Sequence, residues 1–96
     1  MNIFYVYILR CSDTSYYIGH TDNIEKRMAE HRSGTQHVYT KKRLPVELVF
    51  LQEYPTRDDA FNAEHTIKKW SRRKKEALIK SAWPELKKLA KKDFSE

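Results

Sequence analysis

The sequence predicts an α+β fold: a three-stranded antiparallel sheet, made of a β-hairpin plus a third strand, flanked by helices in the order ββαβαα with one more helix at the end. Three observations carry this. A continuous apolar and aromatic run over residues 3–9 is followed, after one turn cluster, by the short β-prone run Tyr16-Tyr17-Ile18-Gly19. A third such run, residues 46–54, lies mid-chain. Elsewhere apolar residues recur at three- and four-residue spacing, the period of a helix lying on a core.

Each element follows in order. Residues 3–9 are rich in β-formers and read as a buried strand. Ser12-Asp13-Thr14-Ser15 supplies a turn, so the first twenty residues form a hairpin. Asp22 starts a helix, with Glu25 three residues on as in a capping box, and Gly34 ends it. Ile24 and Met28 face its core, while Arg27 and His31, four apart, share a neighbouring, exposed face. Residues 35–44 are polar and basic and read as a loop or a short irregular helix. Pro45 opens the third strand. Thr56 caps the next helix, with Asp58 and Asp59 in the first turn, where the helix dipole favours them. Ala60, Ala63, Ile67 and Trp70 form its buried stripe. Ser71 caps a further helix through residue 79, and Pro84 fits the first position of a basic amphipathic helix over 84–94.

Ninety-six residues make one domain, 1–96, with no repeat and no dividing linker. A chain of this length buries about 60–65 % of its unfolded surface, enough for one core and one site. No apolar run is long enough to span a bilayer, and no secretory signal opens the chain, so no membrane partner is expected. Cys11 is the single cysteine, which excludes an internal disulfide and a cysteine-based zinc site and fits a cytoplasmic protein. The net charge of +6 is unevenly placed. Residues 1–63 carry eight basic and eight acidic side chains; residues 64–92 carry eleven and three. A one-sided basic surface concentrates polyanions. The plain alternative is a solvated, lysine-rich helix face.

Three groups can carry chemistry. Glu64 falls at the edge of a buried stripe, where an ionised carboxylate needs a compensating cation: a metal ion, or Lys68 one turn on. Tyr7 and Tyr17 come from adjoining strands and, in an even register, project from one face beside Gly19; the simpler reading is cross-strand packing. Arg27 can grip a phosphate, and His31 can hold a phosphate or water or relay a proton.

The ordered set of Tyr5-Val6-Tyr7, Tyr17-Ile18-Gly19, Arg27-x-x-x-His31 and Ala63-Glu64-x-x-Ile67-Lys68-Lys69-Trp70 resembles the GIY-YIG nuclease superfamily, in particular its small stand-alone bacterial endonuclease branch. The likeness covers nearly the whole chain, from about Phe4 to the end of the last helix. Tyr-Ile-Gly is literal here; Tyr5-Val6 replaces the Gly-Ile of the first half, and the tyrosine is kept at Tyr7. The resemblance implies a metal-dependent endonuclease hydrolysing phosphodiester bonds, of DNA ahead of RNA, in repair, recombination or nucleic-acid turnover. It makes Tyr7, Tyr17, Arg27, His31 and Glu64 the catalytic set, with one Mg²⁺ or Mn²⁺ on Glu64. His20 follows Tyr-Ile-Gly, where some relatives carry lysine. With Lys41, Lys42, Arg43, Lys68, Lys69, Arg72 and Arg73 it forms the expected nucleic-acid-binding set of a monomer or weak dimer. Many relatives place a polar residue, often asparagine, near the C-terminus, where this chain has Ser81-Ala82-Trp83. In this reading Tyr7 is the general base, which requires its pKa to fall well below the ordinary ~10. The competing readings are a non-catalytic nucleic-acid-binding module, a protein docking its basic tail on an acidic partner, and a small-molecule metallohydrolase.

Overall fold

The computed structural model describes residues 3–34 and 37–81. Its elements are β1 (Phe4–Arg10), β2 (Tyr16–Thr21), α1 (Ile24–Ser33), α2 (Val38–Lys41), β3 (Glu47–Tyr54) and α3 (Arg57–Lys68). A further helix, α4, covers residues 72–81. The expected helix over 84–94 and the residues Ala82 and Trp83 lie outside the described residues.

The sheet runs β2-β1-β3, antiparallel throughout. The central position of β1 explains its unbroken apolar run, because successive residues of a strand point to opposite faces and here both faces are covered. Val6 and Ile8 join Ile18, Val49 and Phe50 beneath Ala60 and Ile67 of α3. Tyr7, Leu9 and Cys11 face the other way, against Ile24 and Met28 of α1 and Val46. Each fully buried aliphatic side chain in β1 contributes about 1.5–3 kcal/mol to folding. α4 closes over the α3 side, with Leu78 and Ile79 against that core.

The turn between β1 and β2 is held by Asp13, whose Oδ1 accepts from the Ser15 amide at 3.0 Å and the Ser15 hydroxyl at 2.6 Å. This pins Thr14 at φ 68°, a conformation that a β-branched residue rarely adopts. β2 runs two residues beyond the expected Tyr-Ile-Gly end, and residue 19 pairs with Tyr7 in the middle of the ladder. The cap of α1 is Asn23, one residue after the expected Asp22: Asn23 Oδ1 accepts from the Lys26 amide at 3.1 Å. Gly34 ends α1 at φ 71°, as expected. Thr56 and Ser71 cap their helices as the sequence indicates, accepting from the Asp59 and Lys74 amides. The polar 35–44 region holds the single helical turn α2. No described helix is long and apolar enough to cross a membrane.

Candidate active site

Two side-chain clusters meet at β2, the edge strand next to β1. The first lies on the α1 face. Tyr7 pairs with Gly19, and Tyr17 with Leu9, so both phenols project from the same side of the hairpin, with ring centroids 6.2 Å apart. Gly19 is required by this arrangement: a Cβ there would sit 2.6 Å from Tyr7 Oη and 2.7 Å from Cζ. Tyr7 is fully buried, so its ring has no room to yield.

His31 completes the cluster. The sequence places it on an exposed helix face beside Arg27, but it is fully buried. Ile24, Met28 and His31 stand at i, i+4 and i+7, so the stripe of α1 that faces the sheet includes the histidine. Its Nε2 lies 2.9 Å from Tyr7 Oη, and its Nδ1 lies 2.8 Å from Thr40 Oγ1 on α2. The Tyr17 ring stands edge-on to His31 at 5.0 Å, and His37 stacks on it at 4.0 Å. Glu30 ties the rim together, 3.3 Å from Arg27 Nε and 3.4 Å from His37 Nε2. Arg27 is half-buried there.

Electrostatics set the protonation state of this cluster. Burial pushes the His31 imidazole down to about 4, and the neighbouring His37 and Arg27 push the same way, against Glu30. Burial also pushes the Tyr7 phenol up, and Tyr17 adds to it; the Arg27 guanidinium opposes both. The expectation of a depressed Tyr7 pKa is therefore not met by the protein alone. The two groups rest as a neutral phenol hydrogen-bonded to a neutral imidazole.

The second cluster lies on the α3 side. His20 is the cross-strand partner of Val6 and so points away from Tyr7, towards α3. Its Nδ1 donates to Glu64 Oε1 at 2.5 Å, and Lys68 Nζ donates to Oε2 at 2.6 Å. Glu64 is only 6 % exposed. Burial alone would raise its pKa, but the contacts from Lys68 and His20 outweigh it and hold the carboxyl below its ordinary value. Its charge reaches across β2 and adds to the upward shift of Tyr7. Phe61, 47 % exposed, borders this cluster between His20 and His65.

No group of three or more His, Cys, Asp or Glu side chains among the described residues is arranged to hold a metal ion. Glu64 fits a different kind of site. Mg²⁺ keeps most of its waters and needs one or two carboxylates, and this one is buried and held ionised. A cation there would exchange with one of the two contacts that Glu64 now makes.

The expected nucleic-acid-binding residues divide into two groups. Lys41, Lys42, Lys69 and Arg73 are exposed. The others have structural engagements. His20 and Lys68 hold Glu64. Arg43 bonds Asp13 at 3.0 Å and the Tyr39 carbonyl at 2.9 Å, and stacks on the Tyr39 ring. Arg72 pairs with Glu76 at 3.0 Å and lies over the Tyr16 ring. Sequence reasoning missed Glu30, His37 and Thr40. Glu30 lies on α1 itself, three residues after Arg27; the approach of His37 and Thr40 to His31 brings α2 against α1, and no local periodicity encodes that.

Comparison with known proteins places the chain in a family. The profile of the GIY-YIG catalytic domain matches residues 3–77. An UPF0213 protein of Natronomonas pharaonis is 47 % identical over 75 residues, covering 78 % of this chain and 88 % of that one. The UPF0213 protein YazA of Bacillus subtilis is 41 % identical over 78 residues, covering 81 % and 79 %. Two solution NMR structures share the fold: a protein from E. faecalis, with TM-score 0.60, 39 % identity and coverage of 84 % and 86 %, and an UPF0213 protein from Bacillus halodurans, with TM-score 0.57, 40 % identity and the same coverage. A match over most of its length to the model of this domain, and relatives above 40 % identity, show that the chain belongs to the GIY-YIG catalytic-domain family, among its small UPF0213 relatives.

Proposed function

We propose that the protein is a divalent-metal-dependent endonuclease that hydrolyses phosphodiester bonds, with DNA as its substrate, in the repair, recombination or turnover of nucleic acid in the cytoplasm. The observation that carries this reading is the 2.9 Å contact between the buried Tyr7 hydroxyl and His31, beside the half-buried Arg27 and within the electrostatic reach of Glu64.

Hydrolysis of a phosphodiester needs a positioned water, an acceptor for its proton and relief of the charge on the phosphate. Arg27 holds the scissile phosphate through its fork of N–H donors. Tyr7 Oη takes the proton of the attacking water while its own proton passes to His31. The protein alone does not make a tyrosinate, so the base is the Tyr7–His31 pair. A bound phosphate adds a negative charge nearby and favours the imidazolium that results. Tyr17 packs edge-on to the His31 ring and holds its orientation. Glu64 is the residue to hold a single Mg²⁺ or Mn²⁺, which when bound supplies positive charge to the phosphate and the leaving oxygen. Lys41, Lys42, Lys69 and Arg73 draw the polymer to the site through its phosphates.

One observation favours a second reading, a binding module without catalysis: both oxygens of Glu64 are already engaged, by His20 and Lys68. Labelled single- and double-stranded DNA and RNA, incubated with the protein in Mg²⁺ and in chelator, separate the two. Cleavage of DNA that needs the metal, and that falls by about a hundredfold or more in Glu64→Gln, is expected of the enzyme. Salt-sensitive binding with no cleavage in any lane would establish the module.

A further inference from the structure

Thr40 takes no part in the resemblance on which the catalytic set rests, yet it is fully buried against that set. Its hydroxyl has two neighbours. It donates to the His37 carbonyl at 3.2 Å, and it lies 2.8 Å from His31 Nδ1. A hydroxyl has one proton. With that proton committed to the carbonyl, Thr40 can only accept from His31, so Nδ1 carries the imidazole hydrogen. A neutral imidazole then has a bare Nε2, and this is the atom 2.9 Å from Tyr7 Oη. The phenol is therefore the donor.

The opposite tautomer fails on the same geometry. Nε2–H would point at Tyr7 Oη, and the Tyr7 proton would need another acceptor; besides His31 the hydroxyl meets the Arg27 guanidinium, which can only donate. Thr40 would have to turn its proton to Nδ1 and leave the His37 carbonyl. The observed arrangement leaves no buried side-chain polar atom without a partner among the described residues.

We propose that Thr40 is a positioning residue for the reaction: by accepting from Nδ1 it fixes the tautomer of His31, so that Nε2 stands bare and aimed to receive the Tyr7 proton. This rests on the reading of Tyr7 and His31 as the base. The step balances. The O–H bond of the attacking water breaks and its proton goes to Tyr7 Oη. The Tyr7 O–H bond breaks and its proton goes to His31 Nε2. The water oxygen forms the new P–O bond, the old P–O bond breaks, and the leaving oxygen takes a proton from solvent. The imidazolium keeps its Nδ1–H on Thr40 throughout. A second-sphere acceptor that orients a catalytic imidazole in this way acts on turnover rather than on binding.

The test reads the tautomer directly. Two-bond ¹H–¹⁵N correlation on labelled protein near neutral pH should show His31 with its hydrogen on Nδ1 in the wild type and in Thr40→Ser. Thr40→Val, which keeps the shape and removes the acceptor, should move it to Nε2. With the same three proteins, thermal melting reports folding and cleavage reports function. Thr40→Val should lose about a hundredfold in kcat with KM within about twofold, and Thr40→Ser should recover most of it. An Nε2–H tautomer in the wild type overturns the proposal, whether or not the protein cuts DNA and whether or not Thr40→Val folds. So does equal loss of turnover in Thr40→Ser and Thr40→Val. A wild type with the Nδ1–H tautomer and no cleavage under any condition would instead overturn the nuclease reading and, with it, the catalytic use of the tautomer.

Discussion

His31 occupies a site where a charged imidazole is disfavoured. Burial, then His37 and Arg27, push its pKa down to about 4, against an ordinary 6.5. The folded protein therefore binds fewer protons at this residue than the unfolded chain does between those two values. Stability from this group is complete above pH 6.5 and is lost as pH falls towards 4, by up to about 3 kcal/mol. Melting temperature followed from pH 7.5 to pH 4 should fall most steeply across that interval in the wild type and more gently in His31→Gln; equal slopes would contradict the assignment. The residues of the cluster were unequally legible in the sequence. Tyr7 and Tyr17 follow from strand alternation once the hairpin is recognised. The burial of His31 follows only if the stripe of α1 is extended by one more step of the helical period. Thr40 and His37 leave no local trace, because their role depends on how the chain returns after α1.

At the scale of elements, the order of strands and helices was legible because each signal is local: a both-sides-buried β1, turn residues, caps and a helical period. The differences lie at element ends. The first cap is Asn23, whose extended backbone lets its side chain reach the amide three residues on. Asn23→Ala should cost about 1 kcal/mol, a fall of roughly 4–8 °C in Tm, while Asp22→Ala should change it little. Comparable losses in both would place the cap wrongly. β2 outruns its signature because Gly19 and His20 pair within the ladder. That extension has chemical consequences. Gly19 leaves room for the Tyr7 ring on one face, and His20 reaches Glu64 on the other.

For the whole molecule, the site is built through an edge strand rather than in a closed cavity. The phenols, Arg27 and His31 approach from the α1 face, and Glu64 with His20 and Lys68 from the α3 side. An open, two-sided edge suits a polymer, which can lie along it and be held by its phosphates, better than a small ligand that needs enclosure. Several of the cations expected to bind nucleic acid are engaged within the protein, while Lys41, Lys42, Lys69 and Arg73 are exposed. The central claim is that the buried Tyr7 hydroxyl is the group that activates water at this edge. Single-turnover cleavage of a labelled DNA by Tyr7→Phe, with binding followed by fluorescence anisotropy in chelator, tests it most directly. The account predicts a rate lower by about a hundredfold or more with affinity within about twofold of wild type. Full-rate cleavage by Tyr7→Phe would contradict it.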